Sequence, residues 1–131
     1  MRKRPRKTVL VVARDIPDRS VLVAMLHGAG YHVASADAAE ALGLVQEQTV
    51  DVVVADISPP AREGLALLEE FRQASERLPV VVVTAVSDVE LYLEAMNRGA
   101  FDYLVQPLSA KELLSVVRKA LHWSPRRQQA A

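Results

Sequence analysis

Three runs in this chain are apolar at every position: Val9 to Val12 (VLVV), Val52 to Ala55 (VVVA) and Val80 to Val83 (VVVV). A strand with one face in water alternates polar and apolar side chains, because successive residues point to opposite faces. A run without alternation is covered on both faces, as in the central strands of a parallel sheet. These runs therefore anchor strands at Thr8–Val12, Val52–Ala55 and Pro79–Thr84, and shorter runs at His32–Ser35 and Tyr103–Val105 add two more.

Helical patterns lie between and after the strands. Asp37 with Glu40, Ser87 with Glu90 and Ser109 with Glu112 each place a short polar side chain three residues before a Glu, the spacing of a capping box. In the last helix Leu113, Val116, Val117, Ala120 and Leu121 form one stripe. The first helix is expected from Pro17 to Ala29, with Val21, Leu22, Met25 and Leu26 facing inward and Gly28 or Gly30 closing it. Leu65, Leu68 and Phe71 line the third. Strand and helix thus alternate five times, which predicts an α/β domain with an open, doubly wound sheet and ligands beyond the carboxyl ends of its strands.

The 131 residues suit one domain with an aliphatic core, since aromatics are 5%. Cys is 0, so neither a disulfide framework nor a thiolate metal site is possible. No apolar run approaches the ~20 residues of a membrane span, and a cytoplasmic location is expected, with no membrane partner. Basic residues crowd both ends: Arg2, Lys3, Arg4, Arg6 and Lys7, then Arg126 and Arg127. The remaining nine Lys and Arg face 16 Asp and Glu, a net of −7, which argues against nucleic acid as the main partner. Residues 1–7 and 124–131 read as flexible tails around a domain over 8–123. His27, His32 and His122 lack ligand spacing and read as surface residues.

The strand ends carry Ala13, Arg14 and Asp15 after the first, Asp56 after the third, Thr84 after the fourth, and Gln106-Pro107 after the fifth. With D-I-S-P-P-A-R-E-G (Asp56 to Gly64), V-V-V-T-A (Val81 to Ala85), G-A-F-D-Y-L-V-Q-P (Gly99 to Pro107) and A-G-Y (Ala29 to Tyr31), the chain from Thr8 to Leu121 resembles the receiver domain of bacterial two-component response regulators. The resemblance implies a flavodoxin-like (βα)5 fold with strand order 2-1-3-4-5 and a role in phosphorelay signalling rather than enzymatic turnover. It implies Asp56 as the phosphate acceptor, Thr84 as the hydroxyl that meets the phosphoryl group, and Tyr103 as the aromatic that moves with it. It also implies a cis Gln106–Pro107 bond, a Mg²⁺ ligand from the Ser58 backbone, and a sensor histidine kinase or other signalling protein as partner.

The departures from the family pattern are chemical. Ala13 and Arg14 stand where the resemblance places the acidic pair that holds Mg²⁺, and Gln106 where it places a Lys. Three carboxylates and a Lys sum to −2, which one Mg²⁺ neutralises; here Asp56 and Arg14 cancel without metal. At ~4 Å and an effective dielectric of ~20, such a pair is worth about 4 kcal/mol before desolvation. The expectation is that Arg14 reaches Asp56 and replaces the cation, that no cofactor is bound, and that the chain is an atypical, or pseudo-, receiver acting by contact. A second reading turns Arg14 to solvent and brings Asp15 into a metal site with Asp56 and Ser58, leaving a receiver that a histidine kinase phosphorylates.

Other chemistries fit less well. A phosphatase of the haloacid-dehalogenase type needs a second Asp two residues after the first, and position 58 is Ser. A nucleotide site needs a Gly-rich loop after the first strand, and residues 13–19 contain no Gly. A cobalamin domain needs an Asp-x-His-x-x-Gly loop, which is absent. Tyr92, Tyr103, Leu108 and Leu114, with Asp102 and Arg118 as charge partners, are expected to share the face of the fourth helix, fifth strand and fifth helix, a surface suited to a homodimer. Trp123 is expected either to cap the core edge or to mark a join to a further segment.

Overall fold

A computed structural model of the chain describes residues 6–123. The tails expected at 1–7 and 124–131 lie outside it, apart from Arg6 and Lys7. Elements alternate throughout: β1 Thr8–Val12, α1 Ile16–Gly28, β2 His32–Ala36, α2 Ala38–Glu47, β3 Val52–Asp56, α3 Ala61–Ala74, β4 Val80–Thr84, α4 Val89–Asn97, β5 Asp102–Val105 and α5 Ala110–His122. The five strands are parallel in the order β2-β1-β3-β4-β5, as expected.

The unalternating runs behave as their pattern requires. Leu10, Val12, Val53, Ala55, Val80 and Val82 point into one core layer, with Leu65, Leu68 and Phe71 of α3 and Leu91 of α4. Val9, Val11, Val52, Val54, Val81 and Val83 point into the other, with Leu22 and Leu26 of α1 and Leu113, Val116 and Val117 of α5. Both parities of each central strand are therefore buried, apart from Thr8 at the start of β1 and Asp56 at the end of β3, whereas the outer strands β2 and β5 are partly exposed along much of their length.

Three details differ from expectation. Val21 is 54% exposed, because the inward stripe of α1 runs through Leu22 and Leu26, with Val23 and Met25 beside it. The fourth helix is capped by Asp88 rather than Ser87: the Asp88 carboxylate accepts from the Glu90 and Leu91 N–H groups. Adjacent Ser and Asp offer the same chemistry, and the carboxylate is the stronger acceptor beside a positive helix end. Asp102 accepts from the Tyr103 N–H instead of pairing with Arg118; no ion pair joins those two among the described residues. Trp123 does sit at the core edge, its ring edge-on to Phe101 and under the Arg72 guanidinium. His27, His32 and His122 are exposed.

Gly64 lets α3 press against the end of β3. A Cβ at this position would lie 2.3 Å from Ile57 Cγ2 and 3.0 Å from Ile57 Cα, so the close approach permits no side chain. Ile57 is the buried residue after Asp56, so this contact holds the loop that carries the carboxylate. Gly64→Ala should cost about 1–3 kcal/mol through overpacking, read as a lowered urea midpoint. An unchanged midpoint would mean that the helix can shift away freely.

Candidate functional site

The carboxyl ends of β1, β3 and β4 finish together because the ladder pairs Val12 with Ala55 and Asp56 with Val83. Thr84 follows one residue on and is fully buried. Gln106 leaves β5 alongside, its N–H donating to the Thr84 carbonyl at 2.8 Å, and the Gln106–Pro107 peptide is cis as expected.

Asp56 is held by its own loop. Its Oδ1 accepts from the Ser58 N–H at 2.8 Å and from the Ser58 hydroxyl at 2.5 Å. The Ser58 oxygen in turn accepts from the Ala85 N–H at 3.1 Å. Thr84 Oγ1 accepts from the Val86 N–H at 3.1 Å, and the Tyr103 hydroxyl donates to the Val86 carbonyl at 3.0 Å. The Tyr103 ring meets Tyr92 edge-on at 5.5 Å, so two of the aromatic and apolar residues expected on the α4–β5–α5 face do meet. Burial pushes the Tyr103 phenol up; an Asp88 backbone hydrogen bond opposes this and the Asp88 charge adds to it.

Arg14 does not reach Asp56. Its guanidinium pairs instead with Glu63 in the first turn of α3. Asp56 already takes two hydrogen bonds from Ser58, while Glu63 offers Arg14 a partner without taking the guanidinium out of water. Both partners are about two-thirds exposed, at 65% and 67%, so the pair is worth roughly 0–1 kcal/mol. The expected lock between Arg14 and Asp56 is therefore replaced by a cation at the mouth of the site, bridging the β1–α1 loop to α3.

Asp15 caps α1 by accepting from the Asp18 N–H at 3.0 Å. Together with Asp18, Asp56 and Ser58 it lines a cleft of about 390 Å³. Sequence reasoning missed Asp18. Its signal was the i, i+3 spacing from Asp15, which turns one turn of α1 toward the strand ends. Burial first, then the Asp15 and Asp56 charges, push the Asp18 carboxyl above its ordinary range.

Mg²⁺, which the resemblance implies, prefers near-octahedral oxygen ligation. Asp56 accepts from Ser58 and Asp15 caps α1, each through Oδ1, and the Arg14 charge at the mouth is paired with Glu63. Among the described residues no group of three His, Cys, Asp or Glu side chains is placed to hold a metal ion. As arranged, the Asp15, Asp18 and Asp56 carboxylates do not converge on one point to ligate Mg²⁺. No helix of the described residues is long and apolar enough to cross a membrane.

A sequence model of the response regulator receiver domain matches residues 9–118. The transcriptional regulatory protein ZraR of Escherichia coli (strain K12) is 40% identical over 114 residues, which are 86% of this chain and 26% of ZraR. The DNA-binding transcriptional regulator NtrC of the same strain is 38% identical over 125 residues, 95% of this chain and 27% of NtrC. This chain thus spans about a quarter of the length of the curated relatives it matches. The crystal structure of the receiver domain of NtrX from Brucella abortus superposes with a TM-score of 0.82 at 32% identity, covering 88% of this chain and 99% of that one. The chemotaxis protein CheY4 of Vibrio cholerae gives 0.82 at 28% identity, again over 88% and 99%.

The raised Asp18 pKa has a consequence for stability. Between the ordinary value of 3.8 and the raised one, the folded protein binds more protons than the unfolded chain, so stability falls as pH rises through that window. Asp18→Asn removes this slope. The urea midpoint of the variant should gain on that of the wild type as pH climbs through the window and then hold its lead; a difference independent of pH would contradict a raised Asp18 carboxyl.

Proposed function

The chain belongs to the response regulator receiver domain family, and on that basis we propose that it is an atypical receiver whose Mg²⁺-dependent phosphorylation at Asp56 is impaired and which signals by protein contact. Receiver domains of this kind are signalling modules of two-component systems. The observation that carries the finer reading is the pairing of Arg14 with Glu63 at the mouth of the site, where the family's pattern has an acidic residue. Ala13 supplies no ligand beside it, and Gln106 supplies no charge from β5.

Phosphoryl transfer to a carboxylate spreads negative charge over the phosphoryl oxygens, and catalysis is mainly positioning and neutralisation of that charge. With no acidic pair at Ala13 and Arg14 and no Lys at Gln106, Arg14 is the one cation among the described residues that line the Asp56 cleft, and it is paired with Glu63. The partner in this reading is a sensor histidine kinase or another signalling protein. A homodimer through the α4–β5–α5 face draws support from the Tyr92–Tyr103 pair and from the exposed Val89 and Leu93 of α4. DNA is named for NtrC as a whole protein; the body of this chain over 8–123, with nine Lys and Arg against 16 Asp and Glu, favours protein over nucleic acid.

A second reading keeps Asp56 as a working acceptor, phosphorylated by a histidine kinase, with Asp15 supplying the metal site. What favours it is the shared cleft of Asp15, Asp18 and Asp56, where burial first and then the two neighbouring charges push the Asp18 carboxyl up.

Incubation with acetyl phosphate and Mg²⁺, followed by intact-mass analysis, separates the two. The atypical reading predicts labelling of Asp56 at least about 100-fold slower than in the Ala13→Asp, Arg14→Asp, Gln106→Lys triple variant, the size of effect expected when charge-stabilising groups are restored. Ready stoichiometric labelling of the wild type, lost in Asp56→Ala, would establish the second reading.

A further inference from the structure

In the resting, unphosphorylated protein a run of hydrogen bonds leads from Asp56 toward the α4–β5–α5 face. We propose that the Ser58 hydroxyl is the link at its Asp56 end: it fixes the β4–α4 loop to Asp56 in the resting protein and thereby positions Tyr103. This rests on the reading above in taking Asp56 as the control point, and it assigns to Ser58 a side-chain role distinct from the backbone ligand expected of that position.

The hydroxyl both donates and accepts. A serine hydroxyl has one proton to donate and two lone pairs to accept with. Here the proton goes to Asp56 Oδ1 at 2.5 Å and a lone pair takes the Ala85 N–H at 3.1 Å. The Ser58 N–H also donates to Asp56 Oδ1 at 2.8 Å, so backbone and side chain clamp the same oxygen. A hydrogen bond to an ionised acceptor is stronger than one between neutral groups, so the carboxylate end of the chain is the firm one.

From Ala85 the connection continues without a gap. The next residue, Val86, donates its N–H to Thr84 Oγ1 and accepts the Tyr103 hydroxyl on its carbonyl at 3.0 Å. Thr84 is fully buried, so the loop pivots on a fixed point. Tyr103 in turn rests edge-on against Tyr92 of α4. The path from Asp56 to the α4 surface therefore runs through the Ser58 hydrogen bonds, the Ala85–Val86 peptide and the Tyr103 hydroxyl to the Tyr92 ring. Ser58 lies on the loop that the Gly64–Ile57 contact holds against α3, which keeps its hydroxyl aimed across to β4.

The test uses the unphosphorylated full chain, with neither metal nor acetyl phosphate present, so its outcome is separate from that of the labelling experiment. Amide and tyrosine-ring NMR resonances are followed in Ser58→Ala, Ser58→Thr and Asp56→Ala. Ser58→Ala should move the Ala85 amide proton upfield and shift the Tyr103 ring signals, while the methyl resonances of Val52 and Val54 stay in place as a check on the fold. Ser58→Thr keeps the hydroxyl and should restore both positions. Asp56→Ala should displace the same Tyr103 signals, and adding it to Ser58→Ala should displace them no further. Unmoved Tyr103 signals in Ser58→Ala, or strictly additive shifts in the double variant, would overturn the assignment; labelling of Asp56 in the other experiment would leave it standing.

Discussion

Everything at the site follows from the parallel register of three strands buried on both faces. Val12 opposite Ala55 and Asp56 opposite Val83 bring the ends of β1, β3 and β4 to one edge, and neither layer of helices covers that edge. A one-residue slip in any of these ladders would send core residues to the wrong layer. Because both layers are packed, the register is doubly specified, and the polar residues that follow the strands have a fixed place to emerge.

Within that frame the charges have settled differently from a simple pairing of opposite signs in the centre. A guanidinium drawn onto Asp56 would have to be partly desolvated, and the carboxylate already receives two hydrogen bonds from Ser58. Glu63 offers Arg14 the same attraction in water. The result is a positive charge at the mouth, a serine-clamped carboxylate within, and two further carboxylates, Asp15 and Asp18, on the opening turn of α1.

Much of this was legible in the residues. The unalternating valine runs announced central parallel strands, the stripe on α5 announced its buried face, and the motifs around Asp56, Thr84 and Gln106 announced the family and the cis peptide. What the sequence hid is what depends on long side chains and three-dimensional choice. Arg14 and Glu63 are 49 residues apart, and nothing local favours that pair over Arg14 with Asp56. Ser87 and Asp88 are adjacent residues of equal capping chemistry, so only the backbone decides between them. Val21 lost its place in the core to a small difference in helical phase. The Ser58 hydroxyl was invisible because its second partner, Ala85, lies 27 residues away on another strand's loop.

On the proposed reading, the positive charge beside this site is supplied by Arg14 and not by a bound divalent ion. Titrating the resting chain with Mn²⁺, a paramagnetic stand-in for Mg²⁺, and following the relaxation of backbone amide signals at Ile57 and Ser58 tests it most directly. The account predicts no saturable broadening at those residues through the millimolar range, and its appearance once Ala13 and Arg14 are both replaced by Asp. Saturable broadening centred on Asp56 in the unaltered protein would contradict it.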